Sequence, residues 1–127
     1  MQSLSGKKAF VIGGSGGIGA AICRQLAQCG CSLIVHGGHE SSGFDSLVNE
    51  LQTLTHTEAF VQYFDTDFGE HFFTTDLKNA VNTADIICVC FGPFLQKSLH
   101  CMSCEDWQKI VQLNCMLPGL VLSAALS

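Results

Sequence analysis

Ile12-Gly13-Gly14-Ser15-Gly16-Gly17-Ile18-Gly19 follows directly on the apolar run Ala9 to Ile12 and opens a segment of helical periodicity. A short apolar run halted by glycines suits a buried parallel strand. Glycines after it permit a tight turn and let backbone N–H groups approach an anion closely, while the N-terminus of the following helix adds partial positive charge. Strand, glycine-rich turn and helix in that order predict a phosphate-binding turn. Two registers fit: Gly14, Gly16 and Gly19 make G-x-G-x-x-G, and Gly13, Gly17 and Gly19 make G-x-x-x-G-x-G.

The rest of the chain repeats the alternation. Ile18, Ile22, Leu26 and Cys29 recur at helical spacing and predict the inward stripe of a first helix, with Gly30 as its stop. Ser32 to His36 reads as a second strand closed by Gly37 and Gly38, and Phe44, Leu47, Val48, Leu51 and Leu54 as a second helix. Glu58 to Phe64 carries strand-forming Val61 and Tyr63, a short helix is expected within Gly69 to Thr83, and Asp85 to Phe91 is a fourth strand. Ser103-Cys104-Glu105-Asp106 offers a capping box for a last helix whose inward face would carry Trp107, Ile110, Val111 and Asn114. Four strands alternating with four helices predict an α/β fold, a doubly wound parallel sheet of Rossmann type.

Composition narrows the functional classes. At 127 residues, 47% apolar and 13% charged, the chain has room for one domain with a core, expected over residues 1–127. A net charge of -5 argues against a nucleic-acid partner, which needs a basic footprint. Apolar runs are too short to span a membrane, and the polar start, Met1 to Lys8, lacks the order of a signal peptide, so a cytoplasmic protein is expected. Eight cysteines lie mostly in apolar segments and are expected as free packing residues. Cys101 and Cys104, beside His100, form the single C-x-x-C, and no second ligand pair accompanies it, so no metal site is expected.

The second register, within Phe10 to Gly19, resembles the short-chain dehydrogenase/reductase family, whose fingerprint is usually Thr-Gly-x-x-x-Gly-Ile-Gly; Ile12 stands at the Thr place. Asp85-Ile86-Ile87 sits where the family often has Asp-Ile-Leu, and Val89-Cys90-Phe91-Gly92 replaces Asn-Asn-Ala-Gly, keeping the glycine. Glu105-Asp106-Trp107 and Asn114 match the family's helix with its active-site asparagine, and the chain looks closest to members resembling 3-oxoacyl carrier-protein reductases. The resemblance implies that Gly13, Ser15, Gly17, Ile18 and Gly19 line the phosphates and adenosine ribose of a nicotinamide dinucleotide. It also implies that Asp65 or Asp67 touches the adenine and that Gly92 lets the backbone pass close to the cofactor. For the two aspartates a solvated turn is an equal alternative. An acidic residue after the second strand would take the ribose 2′-OH of NAD. Gly37 and Gly38 hold those places, flanked by His36 and His39 with Glu40 too far along, which tilts the expectation from NAD toward NADP.

Asn114 needs partners for an inward amide, and Pro118, four residues on, has no N–H for the Asn114 carbonyl; a kink is expected there. In the family the matching asparagine serves in a proton relay, and an ordinary buried asparagine beside a kink is the competing expectation. The Ser and Tyr-x-x-x-Lys of the family's chemistry do not occur; Tyr63 is followed four places later by Asp67. Two readings stay open: the NAD(P)-binding part of a carbonyl/alcohol oxidoreductase, truncated and not catalytically complete alone, or a non-catalytic nucleotide-binding or interaction module. An unpaired fourth strand and Leu117, Leu120, Val121, Leu122 and Leu126 on the last helix imply a homo-oligomer or a complementing C-terminal chain.

Overall fold

A computed structural model describes residues 3–127, with strands β1 (Lys8–Ile12), β2 (Ser32–Gly37), β3 (Thr57–Val61) and β4 (Ile86–Val89) in one parallel sheet of order β3-β2-β1-β4. Helices α1 (Gly17–Gln28), α2 (Ser42–Gln52) and α3 (Thr75–Thr83) connect them. After β4, a short 3-10 turn (Leu99–Cys101) leads to α4 (Cys104–Val111), a π turn (Gln112–Met116) and α5 (Leu117–Ala125). The expected α/β architecture is what the chain adopts.

Alternation along β1 builds the two layers. Ala9 and Val11 face a core with Cys23 and Ala27 of α1 and Phe44, Leu47 and Leu51 of α2. Phe10 and Ile12 face the other way, against Leu77, Ala80 and Val81 of α3 and Leu117 and Val121 of α5. The sheet is covered on both faces, as parallel strands with helical crossovers require. Gly30, at φ +83°, ends α1 as predicted, and Ser103 caps α4 in a full capping box with Asp106.

Four expectations need correction. The third strand ends at Val61 rather than Phe64, because its partner β2 stops at Gly37; Phe64 turns into the core instead. The fourth pairs only over Ile86–Val89 rather than Asp85 to Phe91; it is the unpaired edge strand that was expected, and it is half-buried. The stripe Ile18, Ile22, Leu26, Cys29 is off centre: Ile18 is 76% exposed and Ile22 and Leu26 pack only at the edge of the core, while Gly19, Cys23 and Ala27 are buried at the middle of the inward face. The small side chains bring α1 close to the sheet, which bulkier ones would prevent.

The last helix is rotated likewise. Trp107 and Val111 are 49% and 50% exposed, Ile110 is half-buried and Asn114 exposed, while Leu113, Leu117 and Val121 face the core. The expected kink takes the form of a π turn, in which the Leu117 N–H reaches back five residues to the Gln112 carbonyl. This shift places Pro118 at the start of α5, where a proline costs little.

Candidate functional site

Because β1 lies between β2 and β4, the chain leaving β1 passes through α1 on one face and the chain leaving β4 runs to α5 on the other, and a crevice opens at the carboxyl ends of β1 and β4. A cleft of about 660 Å³ occupies this switch point. Gly13, Ser15 and Gly16 form one wall, Gly38, His39 and Ser41 after β2 a second, and Cys90, Gly92 and Pro93 after β4 a third. Phe64, Tyr63 and Leu113 supply apolar surface, and Lys109 of α4 is its cation; no carboxylate lines it among the described residues.

The glycine turn is shaped by contacts that leave no room for side chains. Gly13 has φ +76°, and a Cβ there would stand 2.9 Å from the Phe91 nitrogen. A Cβ on Gly19 would collide with the Gly13 carbonyl, and one on Gly14 with the Val35 side chain. Gly17 differs, since nothing stands within 4 Å of its would-be Cβ. The fold therefore explains Gly13, Gly14 and Gly19 without a ligand and leaves Gly17 unexplained. Gly16, at the N-cap of α1, has no side chain to cap the helix, so the first-turn amides keep their hydrogen-bonding capacity. A phosphate-bearing ligand fits this cradle.

The predicted residues divide between cleft and surroundings. Gly13, Ser15 and Gly92 line the cleft. Gly17 and Ile18 lie on the outer face of α1, and Gly19 is buried beneath the turn. Asp65 and Asp67 line a smaller polar hollow next to the cleft, which shares Tyr63 with it. There the Asp67 N–H donates to Asp65 Oδ1 at 2.9 Å and the Gly69 N–H to Asp67 Oδ1 at 3.0 Å, so both carboxylates organise a turn. Asn114 stands behind the third wall, its Nδ2 donating to the Pro93 carbonyl at 2.7 Å.

Sequence reasoning missed Lys109 and Tyr63 as cleft residues and placed His39 only just after the second strand; the rings of Tyr63 and His39 stand 5.2 Å apart. Lys109 lies between Trp107 and Val111 on a helix whose rotation was not legible, so no local signal marks it. His36, named only as a flanking residue, is fully buried and hydrogen-bonded to Gly13. Burial holds its ring below the ordinary histidine range, against a smaller upward pull from the Gln62 carbonyl. Among the described residues there is no cluster of three or more His, Cys, Asp or Glu able to hold a metal ion, and no helix is long and apolar enough to cross a membrane.

A doubly wound parallel sheet with a glycine-rich turn and an uncapped helix start at its switch point is the arrangement found in nucleotide-binding α/β proteins. A family model described as short chain dehydrogenase matches residues 7–126, and the chain belongs to that family. It is 32% identical over 125 residues to the short-chain dehydrogenase/reductase FrzI of Cladobotryum sp, a match that takes in 98% of this chain and 48% of the relative. To the 3-oxoacyl-[acyl-carrier-protein] reductase FabG of Rickettsia bellii it is 30% identical, over 90% of this chain and 44% of that one. A short-chain dehydrogenase from Burkholderia cenocepacia, solved in complex with NADP, superposes with a TM-score of 0.81 at 26% identity, covering 98% of this chain and 51% of that one. The chain thus spans about half the length of the relatives it matches.

Proposed function

We propose that this chain is the NAD(P)-binding part, residues 1–127, of a short-chain dehydrogenase/reductase acting on a carbonyl/alcohol pair. The observation that carries the reading is the uncapped start of α1 beside a glycine turn whose Gly17 no protein contact requires. Gly13, Ser15, Gly17, Ile18 and Gly19 would hold the phosphates and ribose, Asp65 or Asp67 the adenine edge, and Gly92 the approach to the nicotinamide. When bound, the nicotinamide would supply or accept the hydride. Asn114 would act beside it, as the asparagine of the family's proton relay. NADP is favoured over NAD because Lys109 and His39 line the cleft and no described carboxylate does.

Calorimetric titration with NADP and NAD tests this reading: saturable binding, tighter for NADP, is expected, and no heat with either overturns it. The Tyr-x-x-x-Lys of the family's chemistry does not occur among the 127 residues. NADPH oxidation with a panel of carbonyl compounds is expected to be absent from this chain alone; turnover would overturn the proposed incompleteness. The half-buried edge strand β4 and exposed Trp107, Val111, Leu122 and Leu126 support a homo-oligomer or a complementing chain. A clean monomer in sedimentation with no bound partner would exclude both. Eight free cysteines suit a reducing compartment, and we place the protein in the cytoplasm.

A further inference from the structure

His36 is a fully buried polar side chain of β2 that does not itself line the cleft. Its ring makes two hydrogen bonds. Nε2 lies 2.7 Å from the Gln62 carbonyl oxygen, which can only accept, so Nε2 carries the proton. Nδ1 is then bare and accepts from the Gly13 N–H at 3.1 Å. Only the neutral Nε2–H tautomer satisfies both partners. The backbone carbonyl of the same residue accepts the Gly14 N–H at 2.9 Å, so His36 holds two successive amides at the start of the phosphate-binding turn.

The far side of the ring is tied as firmly. Gln62, whose carbonyl takes the Nε2 proton, donates from its side chain to the Phe72 carbonyl at 2.9 Å and accepts from Thr74 Oγ1 at 2.8 Å. Thr74 in turn caps α3. A continuous run of hydrogen bonds therefore joins the glycine turn, through His36, to the segment after β3 that carries Asp65 and Asp67.

The surroundings of the ring give a second proton no acceptor. Phe64 stacks on it with centroids 4.4 Å apart, and Phe60 of β3 lies at 5.5 Å. The titratable groups on the neighbouring elements are His39 and Glu40 after β2, Glu58 on β3, Tyr63, Asp65 and Asp67 after it, Cys88 and Cys90 on and after β4, and Lys109 across the cleft. None of these bonds the ring. Protonated Nδ1 would point an N–H at the Gly13 N–H, and one of the two would have to move away.

We propose that His36 is the positioning residue of the phosphate-binding turn, and that its protonation releases Gly13 and weakens dinucleotide binding. The proposal rests on the cofactor reading above. His36 does not line the cleft; by holding the Gly13 and Gly14 amides it sets the turn whose following, uncapped amides at the start of α1 would meet a phosphate. Burial places its titration below the ordinary histidine range, so the turn is intact at neutral pH and loosens only on the acid side.

Two substitutions separate the two ring nitrogens. In His36→Asn the amide oxygen stands near the place of Nδ1, accepts from Gly13 and does not titrate. In His36→Gln the amide nitrogen reaches toward the Gln62 carbonyl and leaves Gly13 without an acceptor. Calorimetric titration with NADP is run on the wild type and both variants at about pH 7.5 and about pH 5.5. The wild type is expected to bind more weakly at the lower pH, by less than about tenfold because the ring titrates below its ordinary range, and beyond any change in His36→Asn. His36→Gln is expected to bind roughly tenfold more weakly already at the higher pH. The asparagine variant keeps His39 and Lys109, so any pH dependence they cause remains in it and is subtracted.

Equal affinities for His36→Gln and the wild type, or equal pH profiles for His36→Asn and the wild type, overturn the proposal. A ligand-free measurement covers failure to fold and failure to bind. In amide NMR spectra of the wild type the Gly13 resonance is expected to titrate together with the His36 Nδ1 signal, and independent titrations overturn the positioning role. Absence of binding by the wild type at either pH overturns the cofactor reading and the dinucleotide half of this proposal, while the Gly13 resonance still decides whether His36 holds the turn.

Discussion

Asn114 Nδ2 donates to the Pro93 carbonyl at 2.7 Å and to the Ile110 carbonyl at 3.0 Å, tying the segment after β4 to the π turn between α4 and α5. On the other side of the amide, Asn114 Oδ1 fills the place that a Cβ on Gly92 would take. One side chain thus fixes the third wall of the cleft while its own helix stays largely exposed.

Asn114→Ala removes both bonds and is expected to cost about 1 kcal/mol of stability. Amide hydrogen exchange should quicken over residues 92–98 more than over the β1–β2 core. Unchanged exchange in that segment would show that the amide does not hold it.

Gly13 and Gly17 should respond oppositely to alanine. At Gly13 the positive φ and the Phe91 backbone both oppose a methyl group, so Gly13→Ala is expected to lose at least about 2 kcal/mol. At Gly17 there is open space within a helix, and Gly17→Ala should fold as well as the wild type or about 0.5 kcal/mol better. Its dinucleotide affinity is nevertheless expected to fall. Thermal melts and calorimetry on the two variants check this; retained affinity in Gly17→Ala would separate Gly17 from the ligand.

The α4 cap predicts an acid-side loss of stability. Asp106 bonds Lys97 Nζ at 2.7 Å and the Ser103 N–H at 2.9 Å; with the Lys97 contact as the larger cause, its carboxyl is held down to about 2. A depressed carboxyl stabilises the fold above its unfolded value of about 3.9 and loses that contribution as pH falls toward the folded one. Melting temperatures between about pH 5 and about pH 2 should therefore fall more steeply in the wild type than in Asp106→Asn. Ser103→Ala, which removes the hydroxyl that accepts the Asp106 N–H at 3.1 Å, should cost about 1 kcal/mol.

Cysteine reactivity should follow burial. Cys23 is fully buried and its thiol is pushed up to about 12, chiefly by desolvation, while Cys101 and Cys104 are exposed. Iodoacetamide at neutral pH is expected to modify Cys101 and Cys104 at least about a hundredfold faster than Cys23. Peptide mapping over time measures the ratio, and comparable rates would contradict the packing of α1 on the sheet.

Element order was legible because its signals are local. Glycine turns, Gly30 at a helix end, the Ser103 cap and short apolar runs each act within a few residues of chain. The inward faces of α1 and α4 were not. Hydropathy picks the stripe Ile18, Ile22, Leu26, whereas close approach to the sheet selects Gly19, Cys23 and Ala27. The same competition turned Trp107 and Val111 outward and put Leu113 inside. At the site, Gly13, Ser15 and Gly92 followed from the family resemblance and His39 from its place just after β2, while Lys109 and Tyr63 reach the cleft only through the packing of distant segments.

Contiguous residues were enough to specify a doubly wound parallel sheet with a glycine-rich turn after its first strand, since strand, turn and helix are each set locally. Tertiary structure alone decided how that turn is held. Gly13 meets His36 across 23 positions of chain and Asn114 meets Pro93 across 21. Contacts at such separations arise from strand order and helix rotation, which no short window of sequence encodes.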